Sequence, residues 1–312
     1  MSYRLDWDTD GLDWPHRGFS RFVVAGGLRW HVQVMGEGPA ALLVHGTAAS
    51  THSWRELAPL LARRFTVIAP DLPGHGFTEP LRPARVSLPG FAAALADLLD
   101  ALGVAPALAV GHSAGAAVLA RMALDGRIAP RLLVSLNGAL LPPRGWAGVF
   151  FLPTARLLAL NPLIPHLVSW RASDRTAVAR LIDSTGSTLD EEGAALYRRL
   201  VRSPQHVAGA LAMMARWDLR PLCADLPRLA VPCVLVAGEA DRTVAPREAD
   251  AVRQLVPGAR VVSLPRLGHL AHEEAPQQIA DLVAGLADEA GLGAAAPAQP
   301  AVQQEARSVK KT

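Results

Sequence analysis

The chain has 312 residues, half of them hydrophobic, with a formal net charge of +3, which permits a large core in one elaborated domain or in two. Nearly all positive charge is arginine dispersed along the chain, lysine occurring only at Lys310 and Lys311, and aromatics are few, so there is no basic stripe suited to nucleic acid. Two cysteines, Cys223 and Cys233, make neither a disulfide framework nor a zinc pattern.

The opening stretch, MSYRLDWDTDGLDW, is acidic and lacks the apolar core of a signal peptide, and no uninterrupted apolar run reaches bilayer-spanning length. This predicts a cytoplasmic protein, soluble or peripheral to the inner membrane. RFVVAGGLRWHVQVMG (21–36) holds two extended runs around Gly26-Gly27, a hairpin signal. Apolar runs then alternate with helical ones. AALLVHG precedes WRELAPLLARR (54–64), TVIAPDL precedes FAAALADLLDALG, and ALAVGHS precedes AGAAVLARMALDG. LLVSLNG follows, and later PCVLVAG precedes READAVRQLV and ARVVSLP precedes PQQIADLVAGLADEA. Several of these runs lack polar alternation, as strands buried on both faces do. Alternation with helices implies right-handed crossovers and an α/β architecture with a mostly parallel sheet of about eight strands.

Residues 139–220 contain no strand pattern and read as a helical cap inserted into a core formed by 1–138 and 221–290. The first part of the cap is apolar, but Pro153, Arg156, Pro162 and Pro165 break it up, so it does not span a membrane; peripheral contact through it is the expectation. The segment 291–312, low in large apolar residues, is predicted to be disordered.

Ser113 lies where an apolar strand gives way to a helix, inside Gly111-His112-Ser113-Ala114-Gly115. A sharp strand–turn–helix lifts such a serine above the sheet edge, and small neighbours relieve the crowding; this is the physical content of G-x-S-x-G. A serine hydroxyl needs a base, and the base needs an orienting carboxylate. The loop after ARVVSLP offers His269, with His272 as the alternative. The loop after PCVLVAG offers Asp241, with Glu239 as the alternative. HLAHEE matches no zinc-binding spacing, and neither metal nor cofactor is expected. The amide of Ala114 is one oxyanion donor. The second is expected from HGTAAS (45–50), from Thr47 or, failing that, Ala48. His45 reads first as a residue steadying that loop. APDLPGHGFT (69–78) reads as a tight turn. A pocket wall is assigned to His45, Phe77, His112, Trp146, Phe150, Trp170, Met213 and Trp217, with Phe151 and Met214 nearby in sequence.

HGTAAS, DLPGHG, GHSAG, GEADRTV and LGHLAHEE, in that order, resemble the α/β-hydrolase superfamily over roughly residues 20–290. A narrower likeness is carried by HGTAASTHSWRELAPLLARRFTVIAPDLPGHGFT, LNGALLP, LLALNPLIP, SPQHVAGALAMMARWDL and LGHLAHEE. These are similar to the magnesium-chelatase accessory hydrolases of bacteriochlorophyll synthesis, the BchO type. The resemblance implies an accessory role near magnesium insertion into protoporphyrin IX, with chelatase subunits as partners. The substrate expected is small and apolar, a porphyrin being one candidate whose propionates Arg144, Arg156 or Arg171 would meet. Catalysis would be hydrolysis of an ester, thioester or amide; the rival is a binding protein that shelters the porphyrin. One departure is that Ala48-Ala49 stand where related hydrolases often place glycine or proline.

Overall fold

A computed structural model of the chain describes residues 5–142, 161, 163–171 and 175–293. Gly26 and Gly27, at φ 57° and 78°, close the hairpin between β1 (Ser20–Ala25) and β2 (Leu28–Met35). Positive φ at both turn positions matches the twist of the flanking strands. The remaining strands are β3 (Ala40–Val44), β4 (Thr66–Pro70), β5 (Leu108–His112), β6 (Leu132–Leu136), β7 (Cys233–Gly238) and β8 (Arg260–Leu264). They form one sheet in the order β1-β2-β4-β3-β5-β6-β7-β8. The hairpin joins antiparallel, β2 against β4, and every pairing from β4 to β8 is parallel.

Helices α1 (Leu57–Leu61), α2 (Leu88–Leu102) and α3 (Ala114–Leu124) fall between the first parallel strands. Between β6 and β7 come α4 (Ile164–Arg171), α5 (Arg175–Ser184), α6 (Glu191–Val201), α7 (Pro204–Ala215) and α8 (Arg220–Asp225). Helix α9 (Arg247–Leu255) links β7 to β8, and α10 (Ala271–Glu274) and α11 (Pro276–Glu289) follow β8. The ends are written locally. Ser87 accepts from the Gly90 amide ahead of Pro89 in α2, and Gly103 terminates that helix at φ 65°. Asp190 caps α6, whose first turn is acidic and last turn basic.

Strands β5, β6 and β7 are buried along their whole length, and successive residues feed opposite layers. Leu42, Ala109, Leu133 and Leu235 pack into one apolar cluster with α2 and α3. Leu43, Val110, Val134 and Val236 pack into the other, with α1 and α11. Parallel sheets covered on both faces need this unbroken apolarity. The helix expected over 54–64 is shorter than its sequence pattern. Thr51–Trp54 form a 3₁₀ turn with all four side chains buried, because the Thr51 amide is drawn in by Asp71 Oδ1 at 2.7 Å. Past α11, Leu292 is still buried and its amide reaches the Ala287 carbonyl; residues 294–312 lie outside the described residues.

The cap meets the core through α7. A Cβ on Gly209 would come 2.1 Å from the Gly74 carbonyl oxygen, so the helix rests on the DLPGHG backbone with no room for a side chain. Gly285, inside α11, has open space where a Cβ would go. We expect Gly209→Ala to lower stability by about 1–3 kcal/mol through overpacking. Gly285→Ala should raise it by about 0.5–1 kcal/mol through helix propensity. Urea unfolding of the two variants beside the parent checks both signs.

Candidate active site

The sheet order reverses direction around β3, which has β4 on one side and β5 on the other. At such a switch point the loops leaving adjacent strand ends diverge and open a crevice. Ser113 stands there, directly after β5. Its backbone lies at φ 51° and ψ −118°, a strained region for a residue with a side chain. Hydrogen bonds hold it: its amide donates to the Leu136 carbonyl at 3.0 Å, and its carbonyl accepts from Ala116 and Ala139, both at 3.1 Å. The flanking glycines are required by space. A Cβ on Gly111 would strike the Ala116 backbone at 2.6 Å, and one on Gly115 the Val44 carbonyl at 2.1 Å.

The histidine and acid loops converge from β8 and β7. His269 Nδ1 lies 2.8 Å from Asp241 Oδ2, both residues being buried. A carboxylate oxygen only accepts, so Nδ1 carries the proton and Nε2 keeps its lone pair. Asp241 Oδ1 accepts from the Thr243 and Val244 amides at 2.7 and 2.9 Å, and Oδ2 also accepts from Asn137 Nδ2 at 2.8 Å. The Ser113 hydroxyl and His269 Nε2 are not hydrogen-bonded to each other; in such sites that bond tightens when a substrate is present.

The loop after β3 passes beside the serine. A Cβ on Gly46 would lie 3.0 Å from Ser113 Cβ. Among the described residues, the amides of Thr47, Ala48 and Ala114 donate to no other group. Ala48 sits at φ 63°, in the left-handed region. That is the physical cost of alanine at a left-handed position. His45 bridges this loop to the next one: Nδ1 donates to the Gly46 carbonyl at 2.7 Å and Nε2 accepts from the Leu72 amide at 2.8 Å.

Of the other expected pocket residues among those described, Met213 hydrogen-bonds this loop, its sulfur accepting from Thr47 Oγ1 at 3.5 Å. His112 lies against Gly46 and is tied to the histidine loop: Nε2 donates to the His269 carbonyl at 2.9 Å, and burial, then His272 and His269, hold its pKa well below the usual value. Phe77 packs edge-on against Trp7 and Trp14, in the cluster that ties the N-terminal segment to α6. Trp217 lies edge-on to Phe91 of α2. Trp170 is 71% exposed. Trp146, Phe150, Phe151, Arg144 and Arg156 lie outside the described residues. Of the two alternatives, His272 is used elsewhere: Nε2 meets Ser53 Oγ at 2.8 Å, beside the buried Arg55–Glu273 pair. Glu239 is exposed.

Four contributors have no local sequence signal. Asn137, at φ 47° after β6, supplies the amide that steadies Asp241. The Thr185 carbonyl, in the cap turn between α5 and α6, accepts from both the Arg242 and His269 amides at 3.1 and 3.3 Å. In the same turn, Ser187 Oγ accepts from the Leu270 amide at 2.8 Å and donates to Glu274 Oε1 at 2.7 Å. His206 of α7 is the fourth link. Its Nε2 donates to the Ala48 carbonyl at 3.1 Å, and its Nδ1 accepts from the Gly76 amide at 3.1 Å. Only the order of elements in space, not their spacing in sequence, brings these together.

Two outcomes follow from this arrangement. Ala48→Gly should stabilise the fold by about 0.5–1 kcal/mol, because glycine adopts left-handed φ without strain, and thermal unfolding reads it. Burial also lowers the pKa of His206 from 6.5 to about 4 and that of His272 to about 3. The unfolded chain therefore protonates first. Stability is full above pH 6.5, falls as pH drops toward 4, and flattens below the folded values. Urea titrations across that range should show the decline, and His206→Gln should make it shallower.

A model of the alpha/beta hydrolase family matches residues 41–282. The magnesium-chelatase 30 kDa subunit of Rhodobacter capsulatus is 41% identical over 276 residues, which is 87% of this chain and 95% of that protein. Pyrrolizixenacetamide deacetylase of Xenorhabdus hominickii is 29% identical, over 78% of this chain and 88% of the relative. Among solved structures, an α/β-hydrolase-fold protein from Burkholderia ambifaria superposes with a TM-score of 0.72 at 26% identity, covering 92% of this chain and all of its own. Epoxide hydrolase CorEH, at 23% identity and TM-score 0.74 over 86% of this chain and 98% of its own, shares the fold. The chain thus belongs to the α/β-hydrolase family, and within it is a relative of the magnesium-chelatase 30 kDa subunit.

Proposed function

We propose that the protein is a serine hydrolase acting on an ester, thioester or amide bond, with Ser113 as nucleophile, His269 as base and Asp241 as the orienting acid. The observation that carries this reading is the 2.8 Å contact between His269 Nδ1 and Asp241 Oδ2, which leaves Nε2 basic at the sheet edge where the strained Ser113 turn stands. His269 Nε2 takes the Ser113 proton as Oγ bonds to the carbonyl carbon. The resulting oxyanion is met by the Ala114 and Thr47 amides, neither of which is committed elsewhere among the described residues. His269 returns the proton to the departing alcohol, thiol or amine, leaving an acyl-serine. Water, deprotonated by His269, then attacks the acyl carbon; the bond to Ser113 Oγ breaks, His269 returns the proton to Oγ, and the carboxylic acid leaves.

The likeness to the Rhodobacter capsulatus protein supports placing this hydrolase beside magnesium insertion into protoporphyrin IX, with chelatase subunits as partners. Magnesium would then be handled by the partner enzyme. A small apolar substrate suits the buried Met213 over the oxyanion loop.

A fluorophosphonate probe should label the folded protein at Ser113. Ser113→Ala should abolish labelling, and His269→Ala should slow it by about three orders of magnitude or more. Equal labelling of Ser113→Ala overturns the reading. In a photosynthetic strain lacking the gene, Ser113→Ala should fail to restore pigment. Restoration would make the pathway role one of binding a porphyrin rather than hydrolysis.

A further inference from the structure

Helix α4 of the cap is inside out. Its inward positions are Pro165 and Ser169, which are buried, while Leu167, Val168 and Trp170 face solvent, together with Leu163 just ahead of the helix. Leu163, Leu167 and Trp170 are spaced i, i+4, i+7 and so form one stripe, with exposures of 70%, 56% and 71%. The other side of the helix packs on α7, so the stripe is not the face that attaches the cap. A soluble protein gains nothing by placing this row outward and serine inward, and exposed stripes of this kind mark contact surfaces.

Charge selects the contact. Exposed His166 and Arg171 flank the stripe, and Arg171 has no ion-pair partner among the described residues. Across 139–173 the sequence carries Arg144, Arg156 and Arg171 and not one aspartate or glutamate. A second copy docked face to face would set Arg171 against like charge. An anionic lipid surface instead satisfies every group: leucines enter the acyl boundary, tryptophan lies at headgroup depth, and arginine meets phosphate. No described helix is long and apolar enough to cross a membrane, so the contact is with the surface.

We propose that α4, through Leu163, Leu167, Trp170 and Arg171, seats the cap on the anionic face of a lipid bilayer. The proposal does not depend on the hydrolase reading. It does give the site a route by which an apolar substrate arrives from lipid without crossing water.

Vesicle flotation tests it. The full chain should float with mixed phosphatidylcholine–phosphatidylglycerol vesicles, float weakly with pure phosphatidylcholine, and detach in high salt. Leu163→Ser combined with Leu167→Asp should reduce flotation about tenfold, and Arg171→Glu should do so by about the same factor. The leucine variant should change neither the thermal midpoint nor Ser113 labelling in solution, since both positions are exposed. Absence of flotation with the anionic vesicles overturns the proposal, as does equal flotation of the leucine variant. Concentration-dependent self-association that the leucine variant abolishes, without vesicle binding, assigns the stripe to a second copy and equally overturns it. Loss of labelling in Ser113→Ala bears on the hydrolase reading alone, so the two fail separately.

Discussion

The geometry of the candidate site rests on one residue held in a backbone conformation that it would not choose. At φ 51° and ψ −118°, Ser113 stores strain of about 1–3 kcal/mol, which persists only because its surroundings over-determine it. β5 fixes the chain before it and α3 the chain after. The Leu136 carbonyl takes its amide, and the Ala139 amide takes its carbonyl. Both of those partners belong to the neighbouring β6 end, so the turn after β5 is braced by the strand next to it. The same strand end carries Asn137, whose side chain reaches Asp241. The Ser113 turn and the Asp241 loop are therefore referenced to a single rigid edge.

The cap does more than cover that edge. The Thr185 carbonyl receives one amide from the acid loop and one from the histidine loop, which makes it a shared anchor for two loops that also meet directly, the Ala240 amide donating to the Leu267 carbonyl at 2.9 Å. Ser187 and Glu274 close a second ring around the histidine loop, the Gly268 amide donating to Glu274 Oε1 at 2.9 Å. On the opposite side His206 ties α7 to the oxyanion loop. Displacement of these helices would thus be felt by the residues proposed to react.

What the sequence made legible follows from range. Strands β3 and β5 to β7 are apolar apart from Ser135 and the terminal His112 because both faces are covered, and this is visible one residue at a time. The GHSAG turn is legible for the same reason, since its constraint is steric and local. Asp241 and His269 could be placed because loops after successive strands must emerge at one sheet edge. The contributions of Asn137, Thr185 and Ser187 were not legible. Two act through the position of a cap turn against loops 80 residues away in sequence, Leu270 to Ser187 being separated by 83. A backbone carbonyl such as that of Thr185 has no side-chain signature at all. Phe77 and Trp217 were assigned to a pocket because aromatics near a site look like lining. In the fold they pack against Trp7 and Phe91, since burial against an adjacent aromatic satisfies an apolar ring as well as a ligand does.

Unfavourable local choices are concentrated at one end of the sheet. Among the described residues, five other than glycine have positive φ, and four of them, Ala48, Ser113, Asn137 and Arg266, directly follow or lie just beyond β3, β5, β6 and β8. Buried polar atoms without partners collect there too: Asn137 Oδ1, His112 Nδ1, His75 Nε2 and His272 Nδ1. Each such atom costs about 1–3 kcal/mol relative to a satisfied one. A sequence optimised for stability alone would place glycine at 48 and an apolar residue at 112. Others lie away from it: His16 also has positive φ, and Arg121 Nε, in α3, is buried without a hydrogen-bond partner. Strain and unsatisfied polarity persist in folded proteins where another requirement outweighs stability. The share of them that lies beside Ser113 agrees with the proposed reactive site.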